Sequence, residues 1–205
     1  MLLAIDTSAG TSVAVVDRDA GVLAERSSPD TRGHAEVVGR FIRECLDSSG
    51  VAVTALSGVA VGMGPGPFTG LRVGIAAARA FAFGAGKPVV PVVSHDAIAF
   101  GLVEPTLIVT DARRREIYWS AYAGSDEVGL PIRAHGPALC KPADLADVVP
   151  GFAGYSRLDA VTVSAASVGL LAESLYLHKR PFAGDEALYL RSPDVTMSAG
   201  PKRVS

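Results

Sequence analysis

Gly62-Met63-Gly64-Pro65-Gly66-Pro67-Phe68-Thr69-Gly70-Leu71-Arg72-Val73-Gly74 is the stretch around which the rest of the chain arranges itself. The apolar run Gly58 to Met63 leads into it and reads as a buried parallel strand. Two prolines one residue apart then forbid a continuous helix. The block is therefore a sharp strand-to-helix turn, with Thr69 placed to cap a helix running to about Gly84. Gly70, Gly74, Ala76, Ala77, Ala78, Ala80 and Ala82 make that helix small-sided, and small side chains let another backbone come close. Two readings of the turn stand side by side. Free N–H groups at a helix start favour an anion, with Arg72 adding charge. Alternatively, the glycines and prolines only fix the turn under a close-packed helix. The block is not a P-loop, because Leu71-Arg72 follows Gly70 where Lys-Ser/Thr is needed. Nor is it a dinucleotide fingerprint, because prolines occupy the crossing turn.

Upstream, Leu2 to Asp6, Thr11 to Val16 and Gly21 to Arg26 predict three strands joined by short turns, an antiparallel meander. Val37, Val38, Phe41, Ile42, Cys45 and Leu46 form one apolar helical stripe. Gly50 follows it as a left-handed terminator. Cys45 on that stripe reads as a small buried hydrophobe. Downstream, Val89 to Val93 is a strand and Ser94 is placed to cap a short helix, His95 to Gly101. The pattern then starts again. Leu107 to Asp111 and Glu116 to Ala123 form a second hairpin around Ala112 to Arg114. Pro142 to Val149 predicts a short helix, and Ser164 to Lys179 a longer one with Ser164 as cap. These elements predict an α/β architecture with a boundary at 103/104, giving domains 1–103 and 104–205. The tail 192–205 is expected to be extended.

The chain has 205 residues, 49% hydrophobic and 20% charged, which excludes a disordered chain. Its length allows about 70% of the unfolded surface to be buried without a metal or disulfide staple. A net charge of -2 argues against an autonomous nucleic-acid binder, though not against an RNA role shared with a basic partner. Mean hydropathy is +0.32. The uncharged run Val51 to Leu71 contains Gly64-Pro65-Gly66-Pro67 and reads as strand and loop, not as a membrane helix. Met1 to Asp6 lacks a basic n-region, so no signal peptide is expected. Cys45 and Cys140 are expected to be free thiols in a cytoplasmic protein.

The chemistry-bearing patterns are few. His34, His95, His135 and His178 never pair at i, i+4, and there is no H-E-x-x-H, so no metal site is expected. There is no G-x-S-x-G elbow and no C-x-x-C. No catalytic residue is assigned. Asp6-Thr7-Ser8, at a strand end, has oxygen ligands suited to Mg²⁺ and phosphate, or is an Asx or Ser/Thr turn. Arg113-Arg114-Arg115 is the one basic run, either an RNA-phosphate contact or a solvated hairpin tip. Tyr118 and Tyr122 share one strand face with Trp119 opposite, as core or sheet cover.

Met1 to Ser8, Gly62 to Gly74, Asp111-Ala112-Arg113 with Tyr118-Trp119, and Tyr189-Leu190-Arg191 resemble, in this order, the TsaB (YeaZ) family of bacterial tRNA threonylcarbamoyladenosine biosynthesis proteins. Older labels call such chains glycoproteases or M22 peptidases. The resemblance implies an actin-like ATPase (ASKHA) fold of two ribonuclease-H-like domains, mixed sheets flanked by helices, the second domain reduced. It implies a non-catalytic scaffold beside a TsaD-like catalytic paralogue and a TsaE-like ATPase. Contact with tRNA would be indirect, with a homodimer when alone and no membrane. No cofactor is required on this reading, and ATP or ADP binding is not expected; Asp6, Thr7 and Ser8 would be a vestigial phosphate site. The alternatives are an M22-type hydrolase or a nucleotide-binding ATPase. TsaD itself carries two histidines four residues apart, where this chain has His95 and Ala99. His95 is therefore expected on the surface at a helix start. The partner surface is expected on two helices and the turn before the second: Val38, Phe41, Ile42, Gly66, Phe68, Thr69, Gly70, Arg72, Val73, Gly74, Ala77 and Ala78.

Overall fold

The computed structural model describes residues 1–191; the tail expected at 192–205 lies outside the described residues. Among the described residues nine strands form two sheets. The first is built from β1 (Leu2–Asp6), β2 (Thr11–Asp17), β3 (Gly21–Ser28), β4 (Gly58–Gly62) and β5 (Val89–Val92), in the order β3-β2-β1-β4-β5. The meander β1-β2-β3 is antiparallel, and β4 and β5 add in parallel. The second sheet holds β6 (Thr106–Asp111), β7 (Ile117–Ser125), β8 (Pro131–Cys140) and β9 (Ser156–Asp159), in the order β8-β7-β6-β9. Again a meander is followed by one parallel strand. The second sheet thus repeats the first with one strand fewer.

Strand alternation assigns the cores. Leu3, Ile5, Val13, Val15, Val59 and Val61 point to one face of the first sheet and meet α1 (His34–Ser49) and α2 (Phe68–Ala85). Leu2, Ala4, Ala14, Val16 and Ala60 point to the other, under α5 (Ala165–Leu177) and α3 (Ser94–Ala99). α5 lies late in the chain but packs on the first sheet. Gly169 allows this approach, since a Cβ there would lie 2.5 Å from Val16 Cγ2. The outer face of the second sheet buries Leu107, Val109, Ile117 and Trp119 against Leu145 of α4 (Leu145–Val148) and Val149.

The helix ends follow their local chemistry in part. Gly50 is left-handed after α1, and Ser164 Oγ accepts from the Ser167 N–H. Thr69 does not cap α2: the helix begins at Phe68, and Pro67 is its N-cap without a side-chain bond. Ser94 does not cap α3 either, because its hydroxyl is drawn into the core of the fold. Strands β8 and β9 were not expected from the sequence. Cys45 behaves as expected: it is buried, its Sγ–H donates to Val13 O, and burial pushes its thiol up to about 11.

Candidate functional site

The glycine-rich block folds down onto the turn that follows β1. Asp6, Thr7 and Ser8 are all buried. The Ser8 N–H and Oγ–H both donate to Asp6 Oδ1, at 2.8 and 2.6 Å, which is an Asx turn. Ser94 Oγ donates to Asp6 Oδ2 at 2.6 Å and accepts from the Gly64 N–H at 3.0 Å. Thr7 Oγ1 donates to Gly70 O at 2.7 Å. Burial pushes the Asp6 carboxyl up, opposed by the hydrogen bonds from Ser8 and Ser94. The glycines make this closure possible. A Cβ at Gly74 would lie 2.1 Å from Thr7 Oγ1, one at Gly66 2.8 Å from Ser8 Cα, and one at Gly62 1.8 Å from Asp6 Oδ2. The hydroxyls that could hold a phosphate are therefore spent inside the fold, and α2 lies on top of them.

A second polar knot joins the two sheets. His95 is completely buried, a correction to its expected surface position. Its Nδ1 pairs with Ser120 Oγ at 2.8 Å and its Nε2 with Thr110 Oγ1 at 2.9 Å. Burial, with help from the Arg133 charge, lowers its imidazole to about 3, so the ring is neutral. Beside it, Tyr122 OH donates to Asp96 Oδ1 at 2.6 Å, and Tyr118 OH donates to Gly66 O at 3.2 Å. Thr110, Tyr118, Ser120 and Tyr122 line one face of the second sheet by register, and Trp119 faces the opposite core. A cleft of about 400 Å³ opens between the sheets, lined by Ser8, Pro67, Thr110, Asp111, Arg113 and Asp159 among others.

The comparisons with known proteins agree on a family. Residues 11–190 match the family described as TsaD: tRNA N6-adenosine threonylcarbamoyltransferase. An uncharacterized protein of Mycobacterium tuberculosis is 39% identical over 196 residues, covering 94% of this chain and 92% of that one. The Escherichia coli tRNA threonylcarbamoyladenosine biosynthesis protein TsaB is 32% identical over 146 residues, covering 69% of this chain and 62% of that one. Among solved structures, a Pseudomonas aeruginosa protein described as similar to peptidase YEAZ superposes with a TM-score of 0.76. It is 27% identical and covers 93% of this chain and 99% of that chain. The chain is a TsaB/YeaZ-type member of the TsaD family. The α/β fold of two mixed sheets flanked by helices is the one its YeaZ neighbours share.

The residues expected at a partner surface divide by burial. Val38, Phe41, Gly66, Gly70, Gly74 and Ala78 are buried inside the chain. They pack on the first sheet and on the Asp6–Ser8 turn. Ile42, Phe68, Thr69, Arg72, Val73 and Ala77 do reach the surface. Ile42 and Leu46 of α1 and Val73, Ala77 and Phe81 of α2 are partly buried hydrophobics packed against the same core. Arg72 stacks on the Phe68 ring at 3.7 Å, away from any anion site in the turn. Phe68 in turn meets Tyr189 at 4.8 Å between ring centroids. The segment that carries Tyr189 is tied down by Leu188 N–H to Met63 O and by Arg79 to Asp185. The sequence block Tyr189-Leu190-Arg191 is therefore part of this surface, a placement that no periodicity signals.

Proposed function

We propose that this chain is the non-catalytic partner subunit of a tRNA threonylcarbamoyladenosine synthesis complex, activating a TsaD-like transferase. The observation that supports this most is the filled Asp6–Ser8 turn. Its carboxylate and both hydroxyls bond within the fold, under a glycine-lined helix. His95, at the position the resemblance relates to a TsaD metal ligand, has both ring nitrogens engaged. Such a site gives neither a nucleophile nor a ligand without breaking the core. On this reading the chain needs no nucleotide or metal of its own. It is cytoplasmic; among the described residues no helix is long and apolar enough to cross a membrane. The domain division falls at 103/104, in the connection between the sheets, with α5 returning to the first.

The partner surface is the exposed side of α2 with the adjoining edge of α1. Alone, the chain pairs with itself there; with a TsaD-like protein it exchanges into a heteromer. A TsaE-like ATPase joins the assembly, and tRNA is met through the complex. Reconstituted synthesis tests this. The chain alone should form no threonylcarbamoyladenosine, and adding it to the TsaD-like and TsaE-like proteins of the same organism should raise the yield. Product from the chain alone, or no effect of its omission, contradicts the reading.

A further inference from the structure

Beyond the polar knot, on the α3 and α5 side of the first sheet, lies a cavity of about 220 Å³. Two charged residues line it, Asp96 of α3 and Arg133 of β8. Arg133 is the register partner of Tyr122 across β7 and β8. Both side chains therefore leave the second sheet on one face, and both meet Asp96 there. The remaining lining side chains are apolar. Leu171 and Leu175 stand one turn apart on α5, with Leu130 and Phe182 beside them. Phe182 belongs to the segment after α5, fixed where the Ala183 N–H donates to Pro91 O at 3.1 Å.

The two charges are short of partners. Arg133 Nε lies 3.6 Å from Asp96 Oδ1, an ion pair too long for a hydrogen bond. Among the described residues Arg133 makes no hydrogen bond. Asp96 accepts one, from Tyr122 OH at Oδ1, and none at Oδ2. Yet the Asp96 and Arg133 side chains are only 23% and 30% exposed. Charges so far out of water are ordinarily saturated with hydrogen bonds, because desolvation costs more than a bare ion pair returns.

We infer that this cavity binds a free α-amino acid with an apolar side chain. Its ammonium donates to Asp96 Oδ2, and its carboxylate accepts from the Arg133 guanidinium. Its side chain lies against Leu130, Leu171, Leu175 and Phe182. Opposite charges side by side select a ligand that carries both. A simple carboxylate meets repulsion from Asp96, and a simple amine meets repulsion from Arg133. The volume is below the range of about 300–1,000 Å³ usual for drug-sized ligands, and it suits a molecule the size of leucine. The site lies across the first sheet from α1 and α2, and it does not depend on the proposed function.

Methyl-resolved NMR of the full chain, titrated in turn with L-leucine, L-valine and L-methionine, tests this. Saturable shifts should appear at the methyls of Leu130, Leu171 and Leu175. Isocaproate and isoamylamine keep the leucine side chain with one charge each, and each should bind about tenfold more weakly than leucine. Arg133→Gln should weaken leucine binding by about the same factor, with thermal unfolding followed in parallel. No saturable shift with any of the three amino acids, or shifts that spare these leucines, overturns the inference. Equal binding of either analogue overturns the amino-acid assignment, and unchanged affinity in Arg133→Gln overturns the site. If Arg133→Gln does not fold, the wild-type shifts and the ranking of the analogues still decide.

Discussion

The two sides of α2 both carry small residues but lie in different surroundings. On the inner side, Gly70, Gly74 and Ala78 are buried, and the helix rests against Thr7. On the outer side, Thr69, Arg72, Ala76 and Ala80 are exposed, and Phe83 near the helix end is 91% exposed. Composition alone does not separate these rows; the position of the Asp6–Ser8 turn does. The inner row is small because backbone and side chain must meet there. The outer row is small, on the proposed reading, because another protein must approach.

The inner row gives the largest effect. Gly74→Ala forces a methyl onto the Thr7 hydroxyl, and overpacking of this kind costs about 3 kcal/mol. A fall in thermal midpoint of about 6–12 °C should follow. A normal midpoint would mean that the helix can move off the turn. For the same reason Gly74→Arg is no clean probe of partner binding.

Next comes the polar knot. His95→Gln should cost about 2 kcal/mol, because Thr110 or Ser120 loses a matched partner. His95 also sets a pH dependence. Its folded pKa of about 3 lies below the ordinary imidazole value of 6.5, so below pH 6.5 the unfolded chain binds the extra proton. Stability contributed by the neutral ring is whole above pH 6.5 and falls by about 1.4 kcal/mol per unit as the pH drops toward 3. Asp6 and Asp96, whose carboxyls are raised by burial, act in the opposite sense: each gives stability that is lost as pH rises above the ordinary carboxylate value. Urea denaturation of wild type and His95→Gln from pH 7.5 to 4.5 isolates the histidine. Parallel curves would remove it as the cause.

Ser164→Ala removes the cap of α5 and should cost about 1 kcal/mol in the same denaturation experiment. The outer row gives the smallest effect on stability. Thr69→Arg with Ala76→Arg should change it by no more than about 0.5 kcal/mol while blocking association, read by co-elution with the TsaD-like protein. Loss of folding in that variant would erase the contrast between the two sides.

Much of this was legible in the sequence. The meander showed in its turns, α1 in its stripe, and the strand-to-helix turn in its prolines. The small inner row was visible, but its orientation was not, because Thr7 lies 63 residues from Gly70 along the chain. His95 was misplaced because the groups that satisfy it, Thr110 and Ser120, sit on a different sheet. Strand β9 was missed because Ser156–Asp159 is exposed throughout and has no apolar alternation. Strand β8 was missed because Gly136-Pro137 interrupts it and its pairing with β7 shifts register. Thr69 and Ser94 had cap chemistry, but Pro67 ended the turn before Thr69, and the Asp6 carboxylate claimed Ser94.

The central claim is that the outer side of α1 and α2 joins this chain to a TsaD-like partner. Size-exclusion chromatography with light scattering, on wild type and on Thr69→Arg/Ala76→Arg, alone and mixed with that protein, tests it most directly. The account predicts a wild-type dimer that exchanges into a heteromer, and a folded monomeric variant that does neither. A wild-type monomer that ignores the TsaD-like protein, or a variant that still assembles, would contradict it.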